Sequence, residues 1–273
     1  MGVTEPSSDT FANPRRICLW SGPRNISTAV MYSFAQRSDT RVIDEPLYAH
    51  YLRVSEADHP GRATVLAAMD QDGERVVQEI ILGPSDRPIL FMKQMAHHLI
   101  ELDRYFLNRT ANILLIRDPE EVLCSLSRQL PKPQLQDTGL EVQAELCDYL
   151  DRIEQKVSII DARELLLNPE SVLRQLCIEL EIPYDSAMLT WPPGARSEDG
   201  VWAPYWYETV HRSSGFMAYE PKSSPFPKFL EPLLEECRPY YAALHARSIR
   251  SSSGIQGTSA EELEVSPRNE GRR

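Results

Sequence analysis

Two stretches of this chain, about ninety residues apart, run from an apolar strand straight into a helix and carry arginine and hydroxyl side chains at the break. Residues 15–30 read RRICLWSGPRNISTAV, and residues 113–125 read ILLIRDPEEVLCS. A helix start exposes unpaired N–H groups at the positive end of the peptide dipoles, which suits an anion. Two such breaks in one α/β chain point to a ligand with two separated phosphates.

In the first stretch, residues 17–20 are a short apolar run of strand type. Ser21-Gly22-Pro23 is turn chemistry, and Gly22 lets the backbone come close to a ligand. Ser27 is expected to cap a helix over 28–36, with Ala29, Val30, Tyr32 and Phe34 on its apolar face. Arg24 lies between strand and helix, where a guanidinium suits phosphate or sulfate oxygens. A single glycine and no Gly-Lys-Ser/Thr separate this loop from a Walker A motif and disfavour an ordinary ATPase. The plainer alternative is a capped turn with a surface arginine.

In the second stretch, residues 113–116 form a continuous apolar run, as in a central parallel strand. Pro119, Glu120 and Glu121 suit the first turn of a helix. Ser125 falls two turns along it, on the side of Arg117, so the two can close on one phosphate. The alternative is an Arg117 ion pair with Asp118 or Glu121.

Elsewhere the chain alternates. Strands are expected at 41–44, 88–93 and 157–161, and helices at 62–69, 74–82, 140–156 and 169–181. This βα alternation predicts a parallel sheet with helices on both faces, whose ligands sit at the carboxyl ends of the strands. Arg24, Glu45, Lys93 and Arg117 all fall there. Residues 191–227 are rich in Pro and Gly without clear periodicity, the pattern of a functional lid. Within them, Trp202, Tyr205, Trp206 and Tyr207 form an aromatic patch able to cover a base or an aromatic acceptor, or simply to fill core.

The 273 residues suffice for one α/β domain. Residues 1–14 and 248–273 read as disordered tails around a domain at 15–247. The net charge of −11 argues against long polyanions such as nucleic acid, though not against a small anion in a local pocket. Five cysteines with no Cys-x-x-Cys indicate a reduced, cytoplasmic setting without a metal site. The amino-terminal residues lack the apolar core of a signal peptide, and no window has the length of a membrane span.

The residues then resemble a known family, the sulfotransferases that use 3′-phosphoadenosine-5′-phosphosulfate (PAPS). Their early loop, of the type Pro-Lys/Arg-Ser-Gly-Thr-Thr, is matched by Pro23-Arg24-Asn25-Ile26-Ser27-Thr28, with Asn25-Ile26 in place of Ser-Gly. Their later strand ends in Arg, then Asn/Asp-Pro, then Ser eight residues after the Arg, as Arg117, Asp118-Pro119 and Ser125 do. The similarity is nearest to bacterial and plant sulfotransferase-like domains, some of whose plant members carry a branched-chain aminotransferase-like name. It extends to DEPLYAH at 44–50 and EDGVWAPYWY at 198–207, and covers about residues 16–216.

The resemblance implies a P-loop NTPase-like three-layer α/β/α fold with a central parallel sheet. It implies PAPS as donor, its bisphosphate (PAP) as product, and a small-molecule hydroxyl or amine as acceptor. Ser21, Gly22, Pro23, Arg24, Asn25, Ile26, Ser27 and Thr28 would hold the 5′-phosphosulfate, and Arg117 with Ser125 the 3′-phosphate. Arg212, followed by Ser213, Ser214 and Gly215, is similar to the family's late Arg-Lys-Gly loop around the 3′-phosphate, without its Lys-Gly. Arg24 matches the loop cation. Glu45 is the first choice of general base, expected one sheet position from the phosphate loop; capping the helix after Pro46 is its alternative. His97 is the second choice, although it follows Lys93 by four residues rather than two. Lys93 would contact the sulfuryl group or snorkel from the strand end. Two other readings stay open: a P-loop small-molecule or nucleotide kinase, and a non-catalytic nucleotide-binding module.

Overall fold

The computed structural model describes residues 10–128, 130–221 and 225–251. Its sheet has five strands: β1 (Arg15–Ser21), β2 (Thr40–Asp44), β3 (Ile89–Met95), β4 (Ala111–Ile116) and β5 (Val157–Asp161). All pair in parallel, in the order β2-β3-β1-β4-β5. β1 is central because both its faces are apolar. Ile17 and Leu19 join Val30, Met31, Phe34 and Phe91 on one side, and Cys18 and Trp20 join Leu90, Met92, Leu114 and Leu146 on the other. Phe34 stacks on Phe91 with ring centroids 4.0 Å apart.

The registers level the carboxyl ends of the inner strands. Ser21 pairs with both Met95 and Leu115, and Asp44 with Lys93. The chain leaves β1 toward β3 and β2 on one side and returns to β4 on the other. The crevice at the end of β1 is therefore the switch point at which such sheets bind ligands.

Helix boundaries follow their capping chemistry. The helix Pro119–Leu126 starts where Asp118 accepts the Glu120 N–H at 2.8 Å. The helix Pro169–Glu179 starts where Asn168 accepts that of Ser171 at 3.1 Å. Several expectations are corrected. Ser27 is the first residue of the helix Ser27–Ala35 rather than its cap; the cap position is Ile26, and no side chain bonds there. The helix expected at 74–82 is a short turn, Gly73–Val76, that widens into a π-turn, Val77–Ile81. The helix from Leu140 stops at Arg152 instead of 156.

The helix Glu231–His245, unexpected from periodicity because Pro239 interrupts it, packs along Leu140–Arg152. Beyond it Ile249 is buried and bridges Ile160 of β5, and at the other end Phe11 bridges Ser85. Residues 10–14 and 248–251, placed in tails from the sequence, thus lie against the domain. Residues 1–9 and 252–273 of those tails lie outside the described residues.

Candidate active site

The β1–helix loop is built around one close approach. A Cβ on Gly22 would stand 2.2 Å from the Thr138 carbonyl oxygen, so only glycine passes there. The glycine serves packing against residues 138–139 in the first place. Arg24 then adopts a left-handed φ of 63°, an uncommon conformation for a residue with a side chain. Its neighbours hold it there: Arg117 Nη1 donates to the Arg24 carbonyl at 2.8 Å, and Arg24 Nε donates to Ser125 Oγ at 2.9 Å. Asn25 is buried, donating through Nδ2 to the Leu115 carbonyl at 2.8 Å.

Arg24, Arg117 and Ser125 are thus linked, and the two strand-to-helix breaks meet at one crevice. Burial first, then the charges of Arg117 and Arg128, lower the pKa of Arg24. Three guanidinium groups crowded this way at the first turn of Ser27–Ala35, where Ser27 and Thr28 lie, attract an anion. Arg117 also makes the expected ion pair with Glu121, at 2.7 Å.

The cluster Arg212, Ser213, Ser214 and Gly215 makes contacts of its own. Arg212 pairs with Glu208 on an exposed face. Ser213 Oγ accepts the Trp191 Nε1–H at 3.0 Å, the Ser214 carbonyl accepts the Trp191 N–H at 3.1 Å, and Gly215 bridges Thr190. Among the described residues, no hydrogen bond or ion pair joins these four to Arg24, Arg117 or Ser125. The late segment reaches the anion cluster further on, where Tyr219 Oη donates to Glu121 Oε1 at 2.8 Å. No spacing signal marks that tyrosine in the sequence.

Beside the β1–helix loop, the ends of β2 and β3 carry a buried charged cluster. Lys93 is only 2% exposed. Its Nζ donates to Asp44 Oδ1 at 2.9 Å, to Tyr207 Oη at 2.8 Å and to Glu45 Oε1. All three ammonium hydrogens have acceptors, so Lys93 neither snorkels nor keeps a donor for a sulfuryl group. Tyr207 Oη donates to Asp44 Oδ2 at 2.6 Å and accepts from Trp202 Nε1 at 3.1 Å, while the Gly200 N–H reaches Asp44 Oδ2 at 3.2 Å. The 198–207 stretch, expected as part of a loose lid, is therefore folded onto β2. Trp202 and Tyr207 are buried in it and Tyr205 is exposed.

Glu45 has a left-handed φ of 40°; its N–H donates to the Lys93 carbonyl at 2.8 Å, and its carbonyl accepts the Tyr48 N–H at 2.9 Å. Its backbone starts the turn into the helix Tyr48–Ser55, but its side chain goes to Lys93 and caps nothing. β3 lies between β2 and β1, so Glu45 stands two sheet positions from the β1–helix loop, not one. That is about 10 Å across the sheet. Burial first raises the Glu45 pKa; Lys93 opposes the shift and Asp44 adds to it. Glu45 Oε2 lies 4.0 Å from His98 Nε2. His98 stacks on Tyr48 and Tyr51 at centroid distances of 5.1 and 4.7 Å, and burial holds its pKa well below the usual value. His97 meets Tyr51 and His98 edge-on, and its pKa is pushed down to about 4, mainly by burial. Both imidazoles are neutral at pH 7.

Sequence reasoning missed Asp44 and underrated Tyr207. It missed Gln94 as well, a fully buried amide on β3 whose Oε1 and Nε2 find no protein partner among the described residues.

A parallel sheet with a cationic loop after its central strand and a carboxylate two positions away makes a P-loop-like α/β fold. The sulfotransferase domain pattern matches residues 15–248, and the chain belongs to that family. Two Arabidopsis thaliana proteins, branched-chain-amino-acid aminotransferase-like proteins 2 and 1, are each 40% identical to it over 243 and 244 residues, 89% of this chain. The chain spans only 43% and 44% of their lengths. Among solved structures, the sulfotransferase domain from the curacin biosynthetic pathway superposes with a TM-score of 0.50 at 17% identity, covering 86% of this chain and 98% of that one. At that identity the likeness speaks for the fold. Among the described residues, no helix is long and apolar enough to cross a membrane.

Proposed function

We propose that this domain transfers a sulfuryl group from PAPS to a hydroxyl or amine of a small-molecule acceptor. The reading rests above all on the contact between Arg24 and Ser125. It joins the loop after β1 to the helix after β4 and, with the Arg117 contact to the Arg24 carbonyl, brings Arg24 and Arg117 to one crevice. The donor set of guanidinium groups, Ser125 Oγ and first-turn N–H groups fits phosphate and sulfate oxygens.

In this reading Arg24 and the first turn of Ser27–Ala35 neutralise charge growing on the bridging oxygen as the donor S–O bond breaks. Arg117 and Ser125 hold the second phosphate, and PAP leaves. Glu45 takes the acceptor proton as the new S–O bond, or S–N bond for an amine, forms. Burial has already made that carboxylate a stronger base than an exposed glutamate. Lys93 holds Glu45 Oε1 and does not touch the sulfuryl group. His97 and His98 line the acceptor side as neutral rings.

Labelled PAPS offered with a panel of alcohols, phenols and amines tests the proposal. Transfer should appear, and Glu45→Gln should lower kcat by about 10²–10⁴-fold with little change in PAP affinity. Full turnover in Glu45→Gln together with its loss in His97→Gln would move the base to His97. The burial of Glu45, 7% exposed, favours a second reading, a nucleotide-binding module without turnover. Tight PAP binding with no transfer to any acceptor would select it.

A further inference from the structure

The carboxylate read as the base sits in a closed arrangement of charges. β2 supplies Asp44, the turn just after it Glu45, β3 supplies Lys93, and the turn after β3 supplies His98. The helix Tyr48–Ser55 contributes Tyr48, stacked on His98, and the 198–207 stretch contributes Tyr207, Trp202 and the Gly200 N–H. With His98 neutral, two carboxylates share one ammonium. Lys93 cannot approach one without its hold on the other changing, since Nζ touches both. Tyr207 Oη ties the arrangement together, donating to Asp44 while accepting from Lys93 and Trp202. Nothing in this network reaches solvent freely: Lys93, Asp44 and Tyr207 are each 5% exposed or less.

We propose that Asp44 and Tyr207 are positioning residues for Glu45, acting through Lys93: between them they set how firmly the ammonium is held against Glu45 Oε1, and so how readily the carboxylate takes a proton. The inference gives the base reading its tuning device and rests on that reading for its catalytic meaning. Its physical content is separate. Asp44 carries a like charge that draws Lys93 away from Glu45, which makes Glu45 more basic. The Tyr207 hydroxyl offsets part of that charge, which makes Glu45 less basic. The two residues therefore push in opposite directions.

The test is a titration of the Glu45 carboxyl carbon by NMR in the 273-residue protein labelled with ¹³C-glutamate, its signal assigned by its loss in Glu45→Gln. In Asp44→Asn the midpoint should fall by about one pH unit or more, because Lys93 then serves Glu45 alone. In Tyr207→Phe it should rise. In turnover, the acid limb of kcat/KM should move with the midpoint in each variant, a shift that lost packing alone does not produce. Midpoints equal to wild type in both variants, or shifted the same way in both, overturn the inference. If Asp44→Asn does not fold, Tyr207→Phe decides alone, and an unchanged midpoint there is enough to overturn it. A midpoint that moves as described while Glu45→Gln keeps full turnover leaves the tuning intact and removes the base reading. A fixed midpoint with a catalytically dead Glu45→Gln does the reverse.

Discussion

Arg24 Nε donates to Ser125 Oγ at 2.9 Å, across 101 residues of sequence. The bond closes the crevice at the end of β1 and fuses the two stretches that looked independent in the sequence. Arg117 completes the link by holding the Arg24 carbonyl at 2.8 Å.

The fusion predicts unequal effects of substitution. Ser125→Ala should weaken PAP binding about tenfold or more, the worth of one charge-assisted hydrogen bond, and AMP only slightly, through the lost contact to Arg24. Arg24→Ala should weaken both nucleotides. Arg117→Ala should weaken PAP most and AMP slightly, because it also supports the Arg24 carbonyl. Isothermal titration calorimetry of the three variants checks the ranking. An Arg117→Ala protein that only loses stability, with relative affinities intact, would reduce Arg117 to its ion pair with Glu121.

Gly22→Ala places a methyl group 2.2 Å from a backbone carbonyl that cannot rotate away. The loop or residues 138–139 must shift, at a cost of about 1–3 kcal/mol. A thermal melt should show the loss, and PAP binding should fall with it as Arg24 moves. An unchanged melting temperature would mean that the approach of Gly22 to Thr138 is not as close as described.

The buried histidines predict an acid-sensitive fold. His97 has its pKa lowered to about 4 by burial, so the folded state binds fewer protons than the unfolded chain below the ordinary histidine value. Its stabilising contribution is complete above about pH 6.5 and is lost as the pH falls toward 4, up to about 3 kcal/mol. His98 acts in the same direction. Glu45 has the opposite sign: its raised pKa favours the folded state at low pH, and that contribution fades as the pH rises through the folded value. Chemical denaturation between pH 4 and 7 should therefore show stability rising with pH, with a shallower slope in His97→Gln. An equal slope in wild type and variant would contradict the assignment.

The strands were legible because parallel strands buried on both faces read as unbroken apolar runs, as residues 17–20 and 113–116 do. Pro119 with Glu120 and Glu121 announced the helix after β4 through first-turn chemistry that is local by nature. The position of β3 between β1 and β2 was not legible, since a crossover leaves no mark in either strand; that misplaced Glu45 by one strand. The clamp on Lys93 was hidden for a similar reason. Tyr207 and Asp44 are 163 residues apart, and only the tertiary fold makes them a pair. Lys93 read as a sulfuryl contact or a lysine snorkelling from the strand end because its sequence neighbours do not include the two carboxylates it pairs with. Pro239 masked the helix Glu231–His245 from a periodicity argument.

The central claim is that the crevice reads two phosphates of one nucleotide. Calorimetric titration of the 273-residue protein with PAP and with AMP tests it most directly, because the two ligands differ only in the 3′-phosphate that Arg117 and Ser125 are proposed to hold. The account predicts at least about tenfold tighter binding of PAP, and at 100 times its Kd a thermal stabilisation of about 2.7 kcal/mol. Equal affinities for PAP and AMP would contradict it.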